Sequence, residues 1–290
     1  MNDFDHPGTV PALQNWKITL AYDGTDYRGW QVQPGERTIQ GELQAALGRV
    51  VGENPLPQGS GRTDAGVHAL AQVASFPLQA PIPPENLLRA LNRTLPPAIR
   101  ITEAQVVPHS FHARHSAVAK TYEYRISRAP VCLPFLARYV YSYSLPIDFG
   151  VLEASARFFE GEHDFQSFAA TDPDLTAREA MVGAEHLQNN GLPAALPTSP
   201  ATLSTVRTIF SSTWERRSVE AGELLIYRVR GNGFLHHMVR NLVGTMLDVG
   251  RGFLQVDAIP EILAARCRAA AGPTAPARAL FLHSVEYDQQ

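Results

Sequence analysis

The order of hydrophobic patterns in the first part of the chain limits its fold more than any other feature of the sequence. Residues 16–22 alternate between apolar and polar side chains, which predicts a strand that ends at Asp23-Gly24. Residues 38–51 carry apolar side chains at helical spacing, and Thr38 is a suitable N-cap. Two strand-like runs, a second helix and another strand follow, at 56–60, 71–78, 84–95 and 99–107. The order β-α-β-β-α-β is typical of the ferredoxin-like fold.

The second part of the chain repeats this order of elements without detectable similarity of sequence. The patterns predict strands at 121–126, 207–216, 223–230 and 280–287, and helices at 149–159, 234–249 and 256–268. They predict an α+β protein of two ferredoxin-like, RRM-like halves, each an antiparallel sheet with helices on one face.

The predicted domain boundaries follow from these two halves. We expect a loose N-terminal tail at 1–14, an N-terminal α+β domain at 15–110 and a C-terminal α+β domain at 111–290. Residues 169–209 contain no aromatic side chain but several prolines and an Asn-Asn-Gly turn sequence. A compact domain rarely needs so long a loop, so we expect a mobile insertion around 171–206.

Composition excludes several classes of protein. Hydrophobic residues make up 44% of the chain and charged residues 18%, which is typical of a globular protein and excludes bulk disorder. No run approaches the ~18 apolar residues of a membrane span, and residues 1–14 lack the apolar core of a secretory signal. Cys132 and Cys267 allow at most one disulfide and no cysteine-rich metal site. We therefore expect a cytoplasmic protein without a membrane partner.

Basic charge is concentrated in two segments, although the formal net charge of the chain is −3. Residues 85–128 carry seven cations against three carboxylates, and residues 205–251 carry seven arginines against four carboxylates. Arginine suits bidentate phosphate contacts, so the two segments could form a groove for a nucleic acid. A GC-rich genome would also explain why only Lys17 and Lys120 are lysines.

The densest group of glycines and polar side chains is GSGRTDAGVH, residues 59–68. Its glycines permit unusual dihedral angles, and they surround Arg62, Thr63 and Asp64. Taken alone, this group favours a tight turn in which Asp64 caps a backbone amide. The phosphate-binding patterns G-x-G-x-x-G and G-x-x-x-x-G-K-[ST] do not occur in it.

A second group, RGNGFLHHMVRN at residues 230–241, contains His236, His237 and Arg240. On the helix predicted from residue 234, His236 and Arg240 are four residues apart and share one face. Adjacent histidines on one helix cannot bind the same metal, which excludes a zinc motif. An amphipathic helix explains the apolar residues, whereas an arginine buried by that helix needs a carboxylate partner.

A third group places Tyr122 and Tyr124 on the same face of the strand predicted at 121–126. Two explanations stay open, namely core packing of two aromatic rings or a platform on which a nucleobase stacks. Three histidines recur at intervals of three within residues 109–115. No carboxylate accompanies them, so we predict no metal site.

Together these motifs resemble those of the tRNA pseudouridine synthase A family. The resemblance rests on GRTDAGVH at 61–68, GWQVQ at 29–33, Tyr122 and GFLHHMVRN at 233–241. It implies an isomerase without a cofactor that converts uridine to pseudouridine at positions 38–40 of the tRNA anticodon stem-loop. The base is flipped, cut from the ribose at N1, rotated and rejoined through C5. The resemblance also implies a homodimer, with the two halves meeting across a central basic active-site cleft.

The resemblance also assigns roles to single residues. Asp64 matches the catalytic nucleophile. A carboxylate that is ionised at pH 7 can act at an anomeric carbon. Attack of Asp64 on the base and abstraction of a proton by Asp64 stay open as alternatives. Arg240 matches a basic partner that keeps Asp64 ionised and aimed. Tyr122 matches the tyrosine that stacks on the uracil and is a candidate acceptor for the C5 proton. Arg62 resembles a residue that occupies the space left by the flipped nucleotide, and Leu280 resembles the apolar wall of the uracil pocket.

Two other functions remain as alternatives. A non-catalytic RNA-binding protein of tandem ferredoxin-like modules would fit the order of elements, but the RRM signature does not occur on a central strand. A nucleoside or sugar hydrolase would need a second catalytic carboxylate. Beyond Asp64, Glu123 is the only acidic residue in these motifs.

Overall fold

The computed structural model describes residues 12–170, 204–219 and 222–288. Residues 1–11 of the predicted tail and residues 171–203 of the predicted insertion lie outside the described residues. The described strands are β1 (Gln14–Tyr22), β2 (Gln58–Gly59), β3 (His68–Leu78), β4 (Ile99–Val107), β5 (Ala117–Ser127), β6 (Tyr141–Ser142), β7 (Gly161–Asp164), β8 (Val206–Val219), β9 (Gly222–Gly231) and β10 (Leu280–Tyr287). The described helices are α1 (Ile39–Val51), α2 (Pro84–Thr94), α3 (Pro134–Ala137), α4 (Phe149–Arg157), α5 (Met238–Gly250) and α6 (Ala258–Ala265).

Contacts between residues divide the described chain into two compact units. Unit 1 holds the described residues of 1–144, 215–230 and 276–290. Unit 2 holds the described residues of 145–214 and 231–275. The division into domains at 15–110 and 111–290 stays a prediction.

Helix α1 and the strands around it form as the sequence predicts. The Thr38 hydroxyl accepts a hydrogen bond from the Gly41 N–H, and Gly52, whose φ is 74°, caps the C-terminal end of the helix. Strand β1 turns alternate side chains, among them Trp16 and Ile18, into the core. The predicted order β-α-β-β-α-β is confirmed for the elements β1 to β4.

The sheet of unit 1 contains both antiparallel and parallel pairs. Its strands lie in the order β4-β1-β3-β10-β5-β9, followed by residues 215–219 of β8, and β2 pairs with β3. Strand β10 pairs antiparallel with β5 but parallel with β3, where Phe281 lies opposite His68. The prediction of purely antiparallel sheets is wrong at this pair. Two strands so far apart in the chain are not limited to the antiparallel pairing of a hairpin.

Unit 2 combines helices with a short strand pair. Strand β7 pairs antiparallel with the start of β8, so that Gly161 lies opposite Ile209. Helices α4 and α5 pack against each other. The approach is close because Gly250 has no side chain: a Cβ at this position would lie 3.0 Å from Leu152 Cδ2.

Helix α5 begins at Met238, four residues after the predicted start at residue 234. Residues 232–237 form a loop, and His237 has a φ of 59° in the left-handed region. A non-glycine residue in this conformation cannot continue a right-handed helix. His236 is therefore outside the helix, and the prediction that it shares a helix face with Arg240 is wrong.

The described structure is a mixed α+β fold with a large mixed sheet, which confirms the predicted class. The finer description as two ferredoxin-like halves stays a prediction. Among the described residues, no helix is both long enough and apolar enough to cross a membrane.

Candidate active site

Asp64 lies in unit 1, in the turn between β2 and β3. Its side chain is half-buried, that of Thr63 is buried, and that of Arg62 is exposed. Three backbone bonds hold the turn: Trp30 N–H to Thr63 O at 3.0 Å, Gly66 N–H to Tyr27 O at 3.3 Å, and Val67 N–H to Asp64 O at 3.1 Å. The turn is therefore fixed against residues 27–30.

Gly29 makes this close approach possible. Its φ is 86°, and a Cβ on it would lie 2.5 Å from the Thr63 carbonyl oxygen. Both the dihedral angle and the contact exclude a side chain at this position. The Gly29-Trp30 pair of the GWQVQ motif thus supports the turn that carries Asp64. This contact explains why the motif begins with these two residues.

A buried polar network supports the same turn from the sheet. The Tyr22 phenol lies 2.8 Å from the Thr63 hydroxyl. The Gln72 side chain donates to Gly61 O at 2.8 Å and accepts from the Ser60 hydroxyl at 2.6 Å. Because these groups are buried, each lost bond would leave a polar atom without a hydrogen-bond partner, and water could not replace it. The network therefore favours a single conformation of the turn.

His68, at the start of β3, connects the end of the turn to other parts of unit 1. Its ring is buried; Nδ1 accepts from the Gly24 N–H at 3.0 Å and Nε2 donates to Arg278 O at 3.0 Å. Burial lowers the pKa of His68, although the nearby Asp23 carboxylate acts in the opposite direction. The neutral imidazole, with its proton on Nε2, satisfies both bonds.

Tyr122 lies on β5, in the same unit as Asp64. Its side chain is buried and faces Leu282 of β10, and Leu280 lies opposite Tyr124 two residues away. Burial raises the pKa of Tyr122, and the phenol of Tyr22 and the charge of Asp64 raise it further. The structure thus brings Asp64 and Tyr122 near each other and places Leu280 on the same face of the sheet as Tyr122.

Arg240 lies in unit 2, in the first turn of α5, and is half-buried. Its Nε donates to Ala275 O at 2.7 Å, and the Ala275 N–H donates to Arg240 O at 3.1 Å. In the preceding loop, the ring centroids of His236 and His237 lie 3.9 Å apart, and the ring planes are tilted by 34°. Since a cation in the first turn opposes the helix dipole, the position of Arg240 is not explained by helix stability.

Two supporting residues, Tyr22 and Gln72, were not singled out from the sequence. Tyr22 is the last residue of β1, and strand alternation explains its burial without a polar role. Gln72 is fully buried in β3 among apolar residues. A polar amide in an otherwise apolar strand is the one signal that would have indicated a hydrogen-bonded role.

Several arginines of the two basic segments are already paired with carboxylates. Arg228 binds Glu123 at 2.8 Å, and Arg230 binds Glu286 at 2.6 Å. Arg125 also binds Glu123, at 2.7 Å. These guanidinium groups contribute less positive charge to any groove than the sequence count suggests.

Comparisons with known proteins agree with the motifs. A family model for tRNA pseudouridine synthase matches residues 18–116 and 197–288, which include Asp64 and Arg240 but not Tyr122. The tRNA pseudouridine synthase A of Solibacter usitatus is 50% identical over 276 residues, covering 95% of this chain and 100% of that protein. That of Moorella thermoacetica is 42% identical over 280 residues, covering 96% and 100%. That of Lacticaseibacillus casei is 38% identical over 276 residues, covering 95% and 100%. The chain therefore belongs to the tRNA pseudouridine synthase A family.

Proposed function

We propose that the protein isomerises uridine to pseudouridine in the anticodon stem-loop of tRNA, at positions 38–40, without a cofactor. The observation that carries the proposal is the Asp64 turn. The turn that carries its half-buried carboxylate is held by backbone bonds and by a buried network, and the charge of Asp64 acts on the buried phenol of Tyr122. A preorganised carboxylate beside an aromatic ring suits a reaction that cuts and remakes a bond to a nucleobase.

Asp64 is the proposed nucleophile. The reaction breaks the bond between C1′ and N1, rotates the uracil and forms a bond between C1′ and C5, after which C5 loses its proton and N1 gains one. A carboxylate can hold C1′ covalently while the base rotates, as in a retaining glycosidase. Attack on the uracil ring and abstraction of a sugar proton are the other roles that Asp64 could take.

Tyr122 is proposed to stack on the uracil. A phenol is neutral at pH 7, and burial raises the pKa of Tyr122 further, so its ring stacks without adding charge to the pocket. As the acceptor of the C5 proton, this phenol would have to release its own proton as it takes the new one. Its role in proton transfer is therefore a separate prediction from its role in stacking.

The remaining site residues have supporting roles in the proposal. Arg240 keeps the Asp64 carboxylate ionised and aimed through charge-assisted hydrogen bonds. Arg62 is exposed and would occupy the space that the flipped nucleotide leaves. Leu280 is buried beside β5 and would form the apolar wall of the uracil pocket.

The proposal includes two ferredoxin-like halves around a basic cleft, and a homodimer in the cytoplasm, where tRNA is modified. The arrangement of β4, β1, β3 and β2 in unit 1 supports the first half. Three apolar residues close together in the chain are largely exposed, with exposed fractions of 77% for Val131, 49% for Leu133 and 85% for Phe135. Neighbouring apolar side chains of this kind are typical of a protein interface and support a dimer.

Tritium release tests the function directly. The protein is incubated with a tRNA transcript labelled with tritium at uracil C5, beside Asp64→Asn and the control Asp26→Asn, whose carboxylate is 64% exposed in a surface ion pair. We expect release to water by the wild type and by Asp26→Asn, and a loss of at least about a thousandfold in Asp64→Asn. Replacing uridines 38–40 by cytidine should abolish release.

The same assay separates the alternatives. Binding of tRNA without release would indicate a non-catalytic RNA-binding protein. Free uracil as a product would indicate a hydrolase. Release that survives Asp64→Asn would show an isomerase with a different active site.

A further inference from the structure

In unit 2, one arginine side chain organises residues 272–275, a segment that we call the 272–275 strap. Arg268 Nη1 donates to Gly272 O at 2.9 Å. Its Nη2 donates to Asn241 Oδ1 and to Thr274 Oγ1, each at 3.1 Å. The Thr274 hydroxyl in turn donates to Asn241 Oδ1 at 2.6 Å. Because Asn241 belongs to α5, Arg268 joins the strap to this helix.

The strap lies directly against α5 because Gly244 has no side chain. A Cβ at Gly244 would lie 1.6 Å from Pro273 O, which excludes every other residue without movement of the strap. The Gly272 N–H donates to the Thr245 hydroxyl at 2.9 Å. The backbone of the strap is thus fixed against two successive residues of the helix.

The same strap holds Arg240. Its last residue, Ala275, donates its N–H to Arg240 O and accepts from Arg240 Nε through its own carbonyl. Because the guanidinium group is planar, a bond at Nε restricts its rotation. The orientation of Arg240 therefore depends on where Ala275 lies, and the position of Ala275 depends on the bonds of Arg268.

We propose that Arg268 is a positioning residue for catalysis, which acts through the 272–275 strap on the guanidinium of Arg240. The inference rests on the proposed function, in which Arg240 aims the Asp64 carboxylate. Arg268 has no role in binding substrate in this proposal. Its guanidinium makes four hydrogen bonds within unit 2, with Asn241, Thr274 and the carbonyls of residues 271 and 272. Lysine cannot reproduce this planar set of donors.

The first test replaces Arg268 by lysine, which keeps the charge. In single-turnover tritium release we expect Arg268→Lys to be about 10- to 100-fold slower than the wild type, because small misplacements of catalytic groups have effects of this size. The Kd for tRNA should change by less than about threefold. Arg266→Lys is the matched control, since the Arg266 side chain is 66% exposed and forms a surface ion pair with Asp164. A wild-type rate for Arg268→Lys overturns the proposal.

A second pair of variants separates positioning from general loss of stability. Thr274→Val keeps the shape of the side chain but removes the hydroxyl that connects Arg268 with Asn241, so we expect release to slow at least about fivefold. Thr274→Ser keeps the hydroxyl and should restore the rate to within about twofold of the wild type. Equal rates for Thr274→Val and Thr274→Ser would contradict the proposal.

A double mutant tests whether Arg268 acts through Arg240. If it does, adding Arg268→Lys to an Arg240→Lys protein should slow tritium release by less than about twofold. The reason is that the orientation of the Arg240 guanidinium, which Arg268 maintains, has already been lost. Effects that multiply would show an independent role and overturn the proposal. A wild-type rate for Arg240→Lys would instead contradict the proposed role of Arg240. If Arg240→Lys releases tritium slowly but Arg268→Lys releases it at the wild-type rate, the positioning role of Arg268 is contradicted and the proposed role of Arg240 is not.

Discussion

The phenol of Tyr22 and the hydroxyl of Thr63 lie 2.8 Å apart, both buried, where the last residue of β1 meets the residue that precedes Asp64. This bond connects the end of strand β1 with the turn that holds the proposed nucleophile. A movement of the strand end would therefore move Asp64. The precision of the site depends on ordinary buried hydrogen bonds as much as on the site residues themselves.

Removing one partner of this bond should weaken both stability and catalysis. We expect Thr63→Val to lower the free energy of unfolding by about 1–3 kcal/mol, because the Tyr22 phenol loses a partner in a buried place. The rate of tritium release should fall while the KM for tRNA stays within about threefold. Urea unfolding and steady-state kinetics measure the two effects. Thr63→Ser, which keeps the hydroxyl, should be close to the wild type in both.

Tyr122→Phe separates stacking from proton transfer. The phenylalanine ring should still stack, so tRNA binding should be unchanged, whereas tritium release should fall about 100-fold if the phenol transfers the C5 proton. Tyr124→Phe is the matched control, because Tyr124 lies on the same strand face and donates to Pro276 O at 2.9 Å. An unchanged rate in Tyr122→Phe would leave only the stacking role.

His68 should make the protein less stable below neutral pH. Burial lowers its pKa in the folded state below the ordinary value of about 6.5. As the pH falls through that value, the unfolded chain binds a proton and the folded chain does not. The free energy of unfolding should then decrease by up to about 1.4 kcal/mol per pH unit until the folded-state pKa is reached. Urea unfolding at pH 7.5 and 5.5 should show a smaller decrease for His68→Gln than for the exposed control His109→Gln.

Binding of tRNA should weaken steeply with salt, and the slope should depend on which arginine is changed. Arg62→Gln should lower the slope of log K against log salt by about one, because the variant places one cation fewer among the phosphates of the tRNA. The double variant Arg230→Gln/Glu286→Gln removes a matched ion pair and should leave the slope unchanged. A flat profile for the wild type would contradict binding through phosphates.

Elements with strong local patterns were predictable from the sequence. The strand at Ile99–Val107 and the strand at Leu280–Tyr287 have the predicted bounds, because alternation and flanking prolines or polar residues determine them locally. The start of α5 was not predictable in this way. The left-handed conformation of His237 depends on the surrounding loop, and the apolar pattern continues through it.

The motif residues could be singled out from the sequence as candidate site residues, but the residues that support them could not. Asp64 and Tyr122 stand out through unusual composition or through resemblance, whereas Gln72 and Arg268 have no distinctive neighbours in the sequence. Their roles depend on contacts with residues 11 and 27 positions away, at Gly61 and Asn241. Periodicity records which side of an element is buried and contains no information on such polar partners.

The position of β10 also affects how the protein is made. This strand lies between β3 and β5 in unit 1, yet it follows every other described strand in the chain. During synthesis on the ribosome, the edges of β3 and β5 that it covers stay unpaired until β10 has been made. Pairing over so long a distance in sequence is slow. A polypeptide released early would lack the strand that carries Leu280 and faces Tyr122. Incomplete copies would therefore lack one wall of the proposed uracil pocket.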